Sequence, residues 1–348
     1  MPQTHTRLSV YSLSHFFVDL CCALLVYRVV GRAASPAEIY LIYNYCAFAL
    51  QMPVGLIADH LNRNAVVASL GCLLVGLSFV FCAHPLPAVI IAGIGNALFH
   101  VGGGVDVLND SGKKAAALGI YVSPGALGLF FGGNLGKGEG FPSAGGALIM
   151  LLCAALIAVM AHKTHVWKRA QNLQLSFAGT ASFDVLLPAL CLFLVVVLRS
   201  YAGMTMRFDW KSTGNWGLIA TLAVMLGKCA GGFVMDRLGA RLTSLLSLAA
   251  AAVLFTFSGN PFAGTAAIFL FNMTMPITLW ALAQRMSGCK GFSFGLLTLA
   301  LFLGFVPVGL GYADASSNWM LTSMCILSAL LMLPGVFSLR KGRTRHAA

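Results

Sequence analysis

"GLIADHLNR" at Gly55–Arg63 and "GGFVMDRLGAR" at Gly231–Arg241 interrupt a chain that is 59% hydrophobic with the same kind of polar cluster. In each, an aspartate and arginine follow a glycine at the end of an apolar run. Asp59 and Asp236 are 177 positions apart in a chain of 348 residues. A recurrence at half the length is the expected mark of two parallel repeats.

The chain carries 22 Lys and Arg and 10 Asp and Glu, and its mean hydropathy is +0.86. Those charges are too few to cover the surface of a water-soluble fold. A helical crossing of a bilayer needs about 20 apolar residues. Twelve stretches qualify, at roughly 9–30, 37–58, 65–83, 86–105, 115–134, 143–162, 184–206, 213–235, 240–258, 261–283, 291–312 and 316–338. The sequence therefore predicts an all-α integral membrane protein, with twelve transmembrane helices in two six-helix bundles. The bundles are 1–162 and 184–348, joined by a polar linker at 163–183 that carries Lys163, His165, Lys168 and Arg169. The two polar clusters then occupy equivalent places, between spans two and three and between spans eight and nine. The first apolar run has full span length and no small-residue cleavage site behind it, so it reads as a helix rather than a signal peptide.

A net charge of +12 raises the question of an anionic partner. Threading the twelve spans with both ends inside puts sixteen of the 22 basic residues on the cytoplasmic side: Arg7, Arg63, Lys113, Lys114, Lys163, Lys168, Arg169, Lys228, Arg237, Arg241, Arg285, Lys290, Arg340, Lys341, Arg343 and Arg345. This is the positive-inside distribution, which explains the basic excess by topology without a nucleic-acid partner. The expected setting is the inner (cytoplasmic) membrane, crossed many times, with both termini cytoplasmic, the lipid bilayer as surroundings and the monomer as working unit. The ten cysteines lie mostly within apolar spans and show no CxxC or Cys/His ligand spacing. Neither a disulfide framework nor a metal site is expected, and no Walker-type loop or cofactor motif is present.

The pattern Gly55, Asp59, Arg63, repeated less regularly as Gly232, Asp236, Arg237, Gly239 and Arg241, resembles the loop motif of the major facilitator superfamily, and the resemblance extends over the whole chain. His60 stands where that family has a basic residue, and Asn62 where it has glycine. The resemblance implies that the glycines allow close helix packing. It also implies that the aspartates engage a neighbouring helix end and a basic residue, stabilising one state of a transport cycle. A carboxylate at a helix N-terminus is favourable by about 0.3–1 kcal/mol at exposed sites.

An ionisable residue inside a span costs about 2.5–3.5 kcal/mol on insertion scales, so it is a functional candidate. Asp59, Asp106, Asp110, Asp184 and Asp236 are expected at cytoplasmic helix ends, and Glu38, Glu139, Asp209 and Asp314 near the outer face. Asp19 alone falls near mid-membrane. In "SLSHFFVDLCC", His15 and Asp19 share one helical face a turn apart and can share a proton. "GNALFHVGGG" in span four brings His100 to a similar depth, with Asn96 a turn away. Arg199 in "VVVLRSYAG" of span seven is flanked by apolar residues. Pro276 of span ten frees a backbone carbonyl and permits a bend, and Gln284 lies on the same span. Lys228 is near enough to the cytoplasm to snorkel, which is preferred here to a substrate role.

"SLSHFFVDL", "ALFHVGG" and "LRS" resemble the corresponding segments of the fosmidomycin resistance protein family, a bacterial drug-efflux branch of that superfamily. The resemblance implies export of a small compound in exchange for protons. "YVSPGALGLFFGGNLG" partly resembles the glycine-rich antiporter motif of span five, with Gly132–Gly133 where the family has Gly-Pro. A close helix crossing explains Gly125, Gly128 and Gly132 equally well. The expected function is secondary active transport of a small, anionic or amphiphilic compound by alternating access, as proton-coupled efflux. Asp19 and His15 would carry the proton, and His100, Arg199, Asn96 and Pro276 would line the substrate cavity. Gly55, Asp59, Arg63, Gly232, Asp236, Arg237 and Arg241 would gate the cycle. An importer or facilitator of a metabolite has the same fold, and only the direction of flux separates it. A sensor or scaffold would need a soluble signalling extension, and an intramembrane enzyme would need a catalytic constellation such as paired carboxylates over a metal.

Overall fold

Prolines decide where the apolar runs bend. The computed structural model describes residues 2–138, 140–167 and 175–337. Their helices in the first half of the chain are α1 (Pro2–Val30), α2 (Pro36–Asn44), α3 (Gln51–Leu61), α4 (Asn64–Ser78), α5 (Pro85–Ser111), α6 (Ala116–Val122), α7 (Gly125–Lys137) and α8 (Ser143–Lys163). Those in the second half are α9 (Phe183–Thr205), α10 (Trp216–Leu238), α11 (Ala240–Phe255), α12 (Pro261–Asn272), α13 (Thr274–Arg285), α14 (Lys290–Gly309) and α15 (Asn318–Phe337). Proline lacks the N–H that bonds the carbonyl four residues back, and its ring crowds that carbonyl. Pro53 faces Ala49 in this way, and a π-helical turn at Tyr45–Ala49 joins α2 to α3 just before it. Pro124 separates α6 from α7. Pro276 denies a bond to Asn272, the residue at which α12 stops.

With each of these broken pairs counted as one rod, eleven helices among the described residues are long and apolar enough to cross a membrane. The twelfth expected span is α11, a shorter apolar helix of 16 residues. Gly239 explains its abrupt start: at φ +84 it caps α10 and opens α11 with no loop between them. The helix α1 starts several residues before the predicted span. Its polar first turns are held by Arg7, whose guanidinium grips Asp110 on α5 through two hydrogen bonds of 2.7 and 2.9 Å. The sequence assignments at Glu139, Lys168, Arg169, Arg340, Lys341, Arg343 and Arg345 lie outside the described residues.

Within the first half, α1 packs along α7, and α4 packs along α5 and α8. Within the second, α9 packs on α14 and α15, and α11 on α12 and α15. The halves meet through α3 against α14 and α10 against α6. Apolar side chains give no preference for helix over lipid tail, so close approach depends on small residues. A Cβ at Gly128 or Gly132 would collide with the Phe16 or Leu20 carbonyl of α1. The small-residue crossing expected at Gly128 and Gly132 is therefore present.

Candidate functional site

A cavity of about 620 Å³ lies between the two halves. One wall comes from α1, α5, α6 and α7, the other from α9, α10, α12, α13 and α14, and the broken rods contribute Asn44, Gln51, Ala126, Asn272 and Met275. His15, Asp19, Asn96, His100 and Arg199 line it together. Five residues from three separate spans thus share one space.

On the first-half wall, His15 Nε2 is 3.2 Å from Asp19 Oδ2 and 2.9 Å from His100 Nε2. His100 Nε2 is 3.5 Å from Asp19 Oδ1. The other ring nitrogens face backbone carbonyls: His15 Nδ1 is 2.7 Å from the Tyr121 oxygen, and His100 Nδ1 is 2.9 Å from the Asn96 oxygen. A carbonyl can only accept, so each Nδ1 carries the hydrogen and donates it. Asn96 Nδ2 approaches Asp19 Oδ1 at 3.5 Å. Room for the cluster depends on Gly125, because a Cβ there would strike Asp19 Oδ2 and His15 Nε2.

The second-half wall is cationic. Arg199 is buried and donates from Nη1 to Thr278 Oγ1 at 3.3 Å. Lys228 also lines the cavity and donates to the Val122 carbonyl at 3.4 Å across the interface. The preferred sequence reading, in which it snorkels to the cytoplasm, is corrected: the close contact of Gly119 with the backbone of α10 at Lys228 and Cys229 turns the lysine inward. At the end of the cavity nearest the α9–α10 loop, Lys211 donates to the Met206 carbonyl at 2.8 Å and sits 4.9 Å from the Phe208 ring centroid. Burial pulls its ammonium down to about 8. Asp19 is the sole carboxylate against Arg199, Lys211 and Lys228 among the lining residues. It pairs with the two histidines and not with Arg199.

The two halves are tied together where α3 meets α14 and α10 meets α6. Asp59 accepts the backbone N–H groups of Gly291 and Phe292 at 2.8 and 2.9 Å. Asp236 accepts those of Ala115 and Ala116 at 2.7 and 3.2 Å. Each aspartate thus satisfies orphan donors at the start of a helix in the opposite half. The motif glycines are the contact points: a Cβ at Gly55 would strike the Gly291 carbonyl, and one at Gly232 would meet the Ala115 carbonyl. Gln284 donates to the Gly112 carbonyl at 2.7 Å and Lys290 to Asn109 at 3.2 Å, adding further cross-half bonds. Arg63, Arg237 and Arg241 are exposed on this same face.

Pro276 stands apart from the other expected cavity residues. It is buried in the first turn of α13 and does not line the cavity, whereas Asn272, Met275 and Thr278 around it do. Its effect is to break the rod. Depth along the sequence placed Asp106 at a helix end, yet it is buried and accepts from the Tyr11 hydroxyl at 2.7 Å and from Asn64 at 2.9 Å.

No protein-family model matches this chain, and no curated protein matches it by sequence. Solved structures do match. A variant of the E. coli fucose:proton symporter FucP superimposes with a TM-score of 0.62 at 12% identity, over 93% of this chain and 97% of that one. FucP described as a Major Facilitator Superfamily transporter in the outward conformation gives 0.60 at 12% identity, over 92% and 98%. A bacterial homologue of the iron transporter ferroportin in its outward-facing state gives 0.60 at 14% identity, over 95% and 98%. The chain has the fold of the major facilitator transporters. Sequence reasoning missed Lys211, Thr278 and Asn272 within that fold. Lys211 lies in the short loop between α9 and α10, where nothing periodic marks it. Thr278 and Asn272 look like ordinary small polar residues in a span, and the structure puts both on the cavity wall, one on each side of Pro276.

Proposed function

We propose that this protein is a secondary transporter for small anionic compounds that works by alternating access. The observation that carries the reading is the cavity between the halves, where Arg199, Lys211 and Lys228 outnumber the Asp19 carboxylate. Cations facing a partly dry cavity favour an anion, and a guanidinium can hold a carboxylate or phosphonate through two parallel bonds. On this reading the two halves act as six-helix bundles, 1–162 and 184–348, with 163–183 as linker, α11 completing a set of twelve spans. The basic face carrying Arg63, Lys113, Lys114, Arg237 and Arg241 is cytoplasmic, both termini included, in the inner membrane. Closure by the ties at Asp59 and Asp236 then makes this the outward-facing state.

Proton coupling through Asp19 and His15 is supported by their 3.2 Å contact in the cavity wall, and efflux by the sequence resemblance to fosmidomycin resistance proteins. The monomer is taken as the working unit. Cells expressing the protein and cells lacking it should be compared for uptake and susceptibility across anionic metabolites and antibiotics, fosmidomycin included. Counterflow of a hit anion in vesicles of purified protein then gives the direction. Indifference of both assays to every anion, with a neutral or cationic compound transported instead, would overturn the reading.

A further inference from the structure

Two histidine nitrogens face each other across 2.9 Å with no hydrogen of their own to share. Both Nδ1 atoms donate to backbone carbonyls, so in the neutral rings both Nε2 atoms present lone pairs. The Asp19 carboxylate adds two more electron-rich atoms at 3.2 and 3.5 Å. Lone pairs brought together in this way repel unless a cation sits among them. Holding the far ring nitrogen on a carbonyl is also how proteins orient metal-binding histidines.

We propose that His15, Asp19 and His100 form a binding site for one divalent transition-metal ion. The spacing fits. Metal–ligand bonds of about 2.0–2.1 Å put neighbouring ligand atoms about 2.9 Å apart at right angles and about 3.3 Å apart at tetrahedral angles. The two ring nitrogens are 2.9 Å apart, and the Asp19 oxygens Oδ2 and Oδ1 lie 3.2 Å from His15 and 3.5 Å from His100. Two imidazoles and one carboxylate select borderline ions such as Zn²⁺, Co²⁺ or Fe²⁺, whereas Mg²⁺ and Ca²⁺ want all-oxygen shells. A separate observation points the same way: Asn96 is 3% exposed, and its side-chain oxygen is buried with no hydrogen-bond partner beside the cluster.

All four residues line the cavity, so the position left open by three protein ligands is reachable from it. Arg199 and Lys228 share that space and raise the cost of a bare dication. An anionic fourth ligand from the cavity offsets this, so the ion and the anion of the proposed function should bind together. In this respect the inference rests on the transport reading, but its test reads metal binding rather than flux, so either can fail alone.

The test uses full-length protein in detergent without a polyhistidine tag, stripped with a chelator and titrated with Co²⁺ while its ligand-field absorption is followed. One Co²⁺ per chain should bind, be displaced by Zn²⁺ and be indifferent to excess Mg²⁺. Asp19→Asn and His100→Gln should each weaken binding at least about tenfold, while His84→Ala, an exposed histidine in the loop before α5, should not. Thermal unfolding identifies variants that remain folded. Wild-type protein with no Co²⁺ spectrum at millimolar metal, or folded Asp19→Asn and His100→Gln proteins that bind as well as wild type, would overturn the proposal.

Discussion

Asp59 caps a helix that belongs to the other half of the chain: its Oδ1 lies 2.8 Å from the Gly291 nitrogen at the start of α14. Asp236 repeats the arrangement at Ala115, 2.7 Å away, in the reverse direction. The repeated motif is therefore a pair of reciprocal latches, each offering a carboxylate to the orphan amides of its opposite number.

Replacing either carboxylate by an amide weakens one charge-assisted pair of bonds, each contributing about 1.5–3 kcal/mol when the acceptor is charged. Asp59→Asn and Asp236→Asn should therefore slow transport several-fold while the protein stays in the membrane. Equilibrium affinity for the substrate should hold within about twofold, since neither residue lines the cavity. Binding isotherms alongside transport rates separate the two effects, and a large loss of affinity would move these residues into the site.

Gly125 gives the cluster its room. In Gly125→Ala the new methyl would meet Asp19 Oδ2 and His15 Nε2, so one of those side chains must swing away. Transport should fall at least as far as in His15→Gln, with little change in expression, because α6–α7 is already interrupted at Pro124. Parallel flux and expression measurements on the two variants check this.

Arg199 offers a planar fork, one arm of which already bonds Thr278 at 3.3 Å. Arg199→Lys keeps the charge and loses the fork, so on the proposed function affinity for the anion should drop about tenfold or more. Arg199→Gln should drop it further. Equal affinities for the Lys and Gln variants in a binding titration would remove Arg199 from anion recognition.

Asp19→Asn imitates a permanently protonated carboxyl. Net flux driven by a pH gradient should stop in this variant while substrate exchange across the vesicle membrane persists, provided the metal ion proposed above is supplied in excess of its weakened affinity. His15→Gln should move the pH optimum and retain activity. If Asp19→Asn protein still concentrates or expels substrate with the gradient, Asp19 is not the carrier.

On the proposed anion reading, Lys211 should set a pH limit at its end of the cavity. Because burial lowers it to about 8, the ammonium is charged below that pH and neutral above it. Anion affinity should fall as pH rises through about 8. Lys211→Arg stays charged and should carry affinity to higher pH, whereas Lys211→Gln should be weak throughout and lose the step. Titrations between pH 6.5 and about 9.5 cover the range between the lowered value and the ordinary lysine range.

Hydrophobic runs, the polar clusters at Asp59 and Asp236 and their separation by half the chain were enough to indicate a membrane protein of long apolar helices and to single out the two aspartates that cap helices of the other half. These are one-dimensional signals, since a span is recognised by its own length and polarity, and a repeat by its own period. His15 and Asp19 were legible as a pair for the same reason, lying one turn apart on one helix. Which residues met across helices was decided only by the tertiary structure. His100 reaches His15 over a sequence gap of 85, Lys228 turns to Val122 instead of the cytoplasm, and Pro276 leaves the cavity to Asn272 and Thr278. A polar side chain in a bundle faces the direction set by the rotation of its helix, and that rotation depends on where small residues such as Gly119, Gly125 and Gly55 let distant helices touch. Nothing local to His100, Lys228 or Pro276 encodes those contacts.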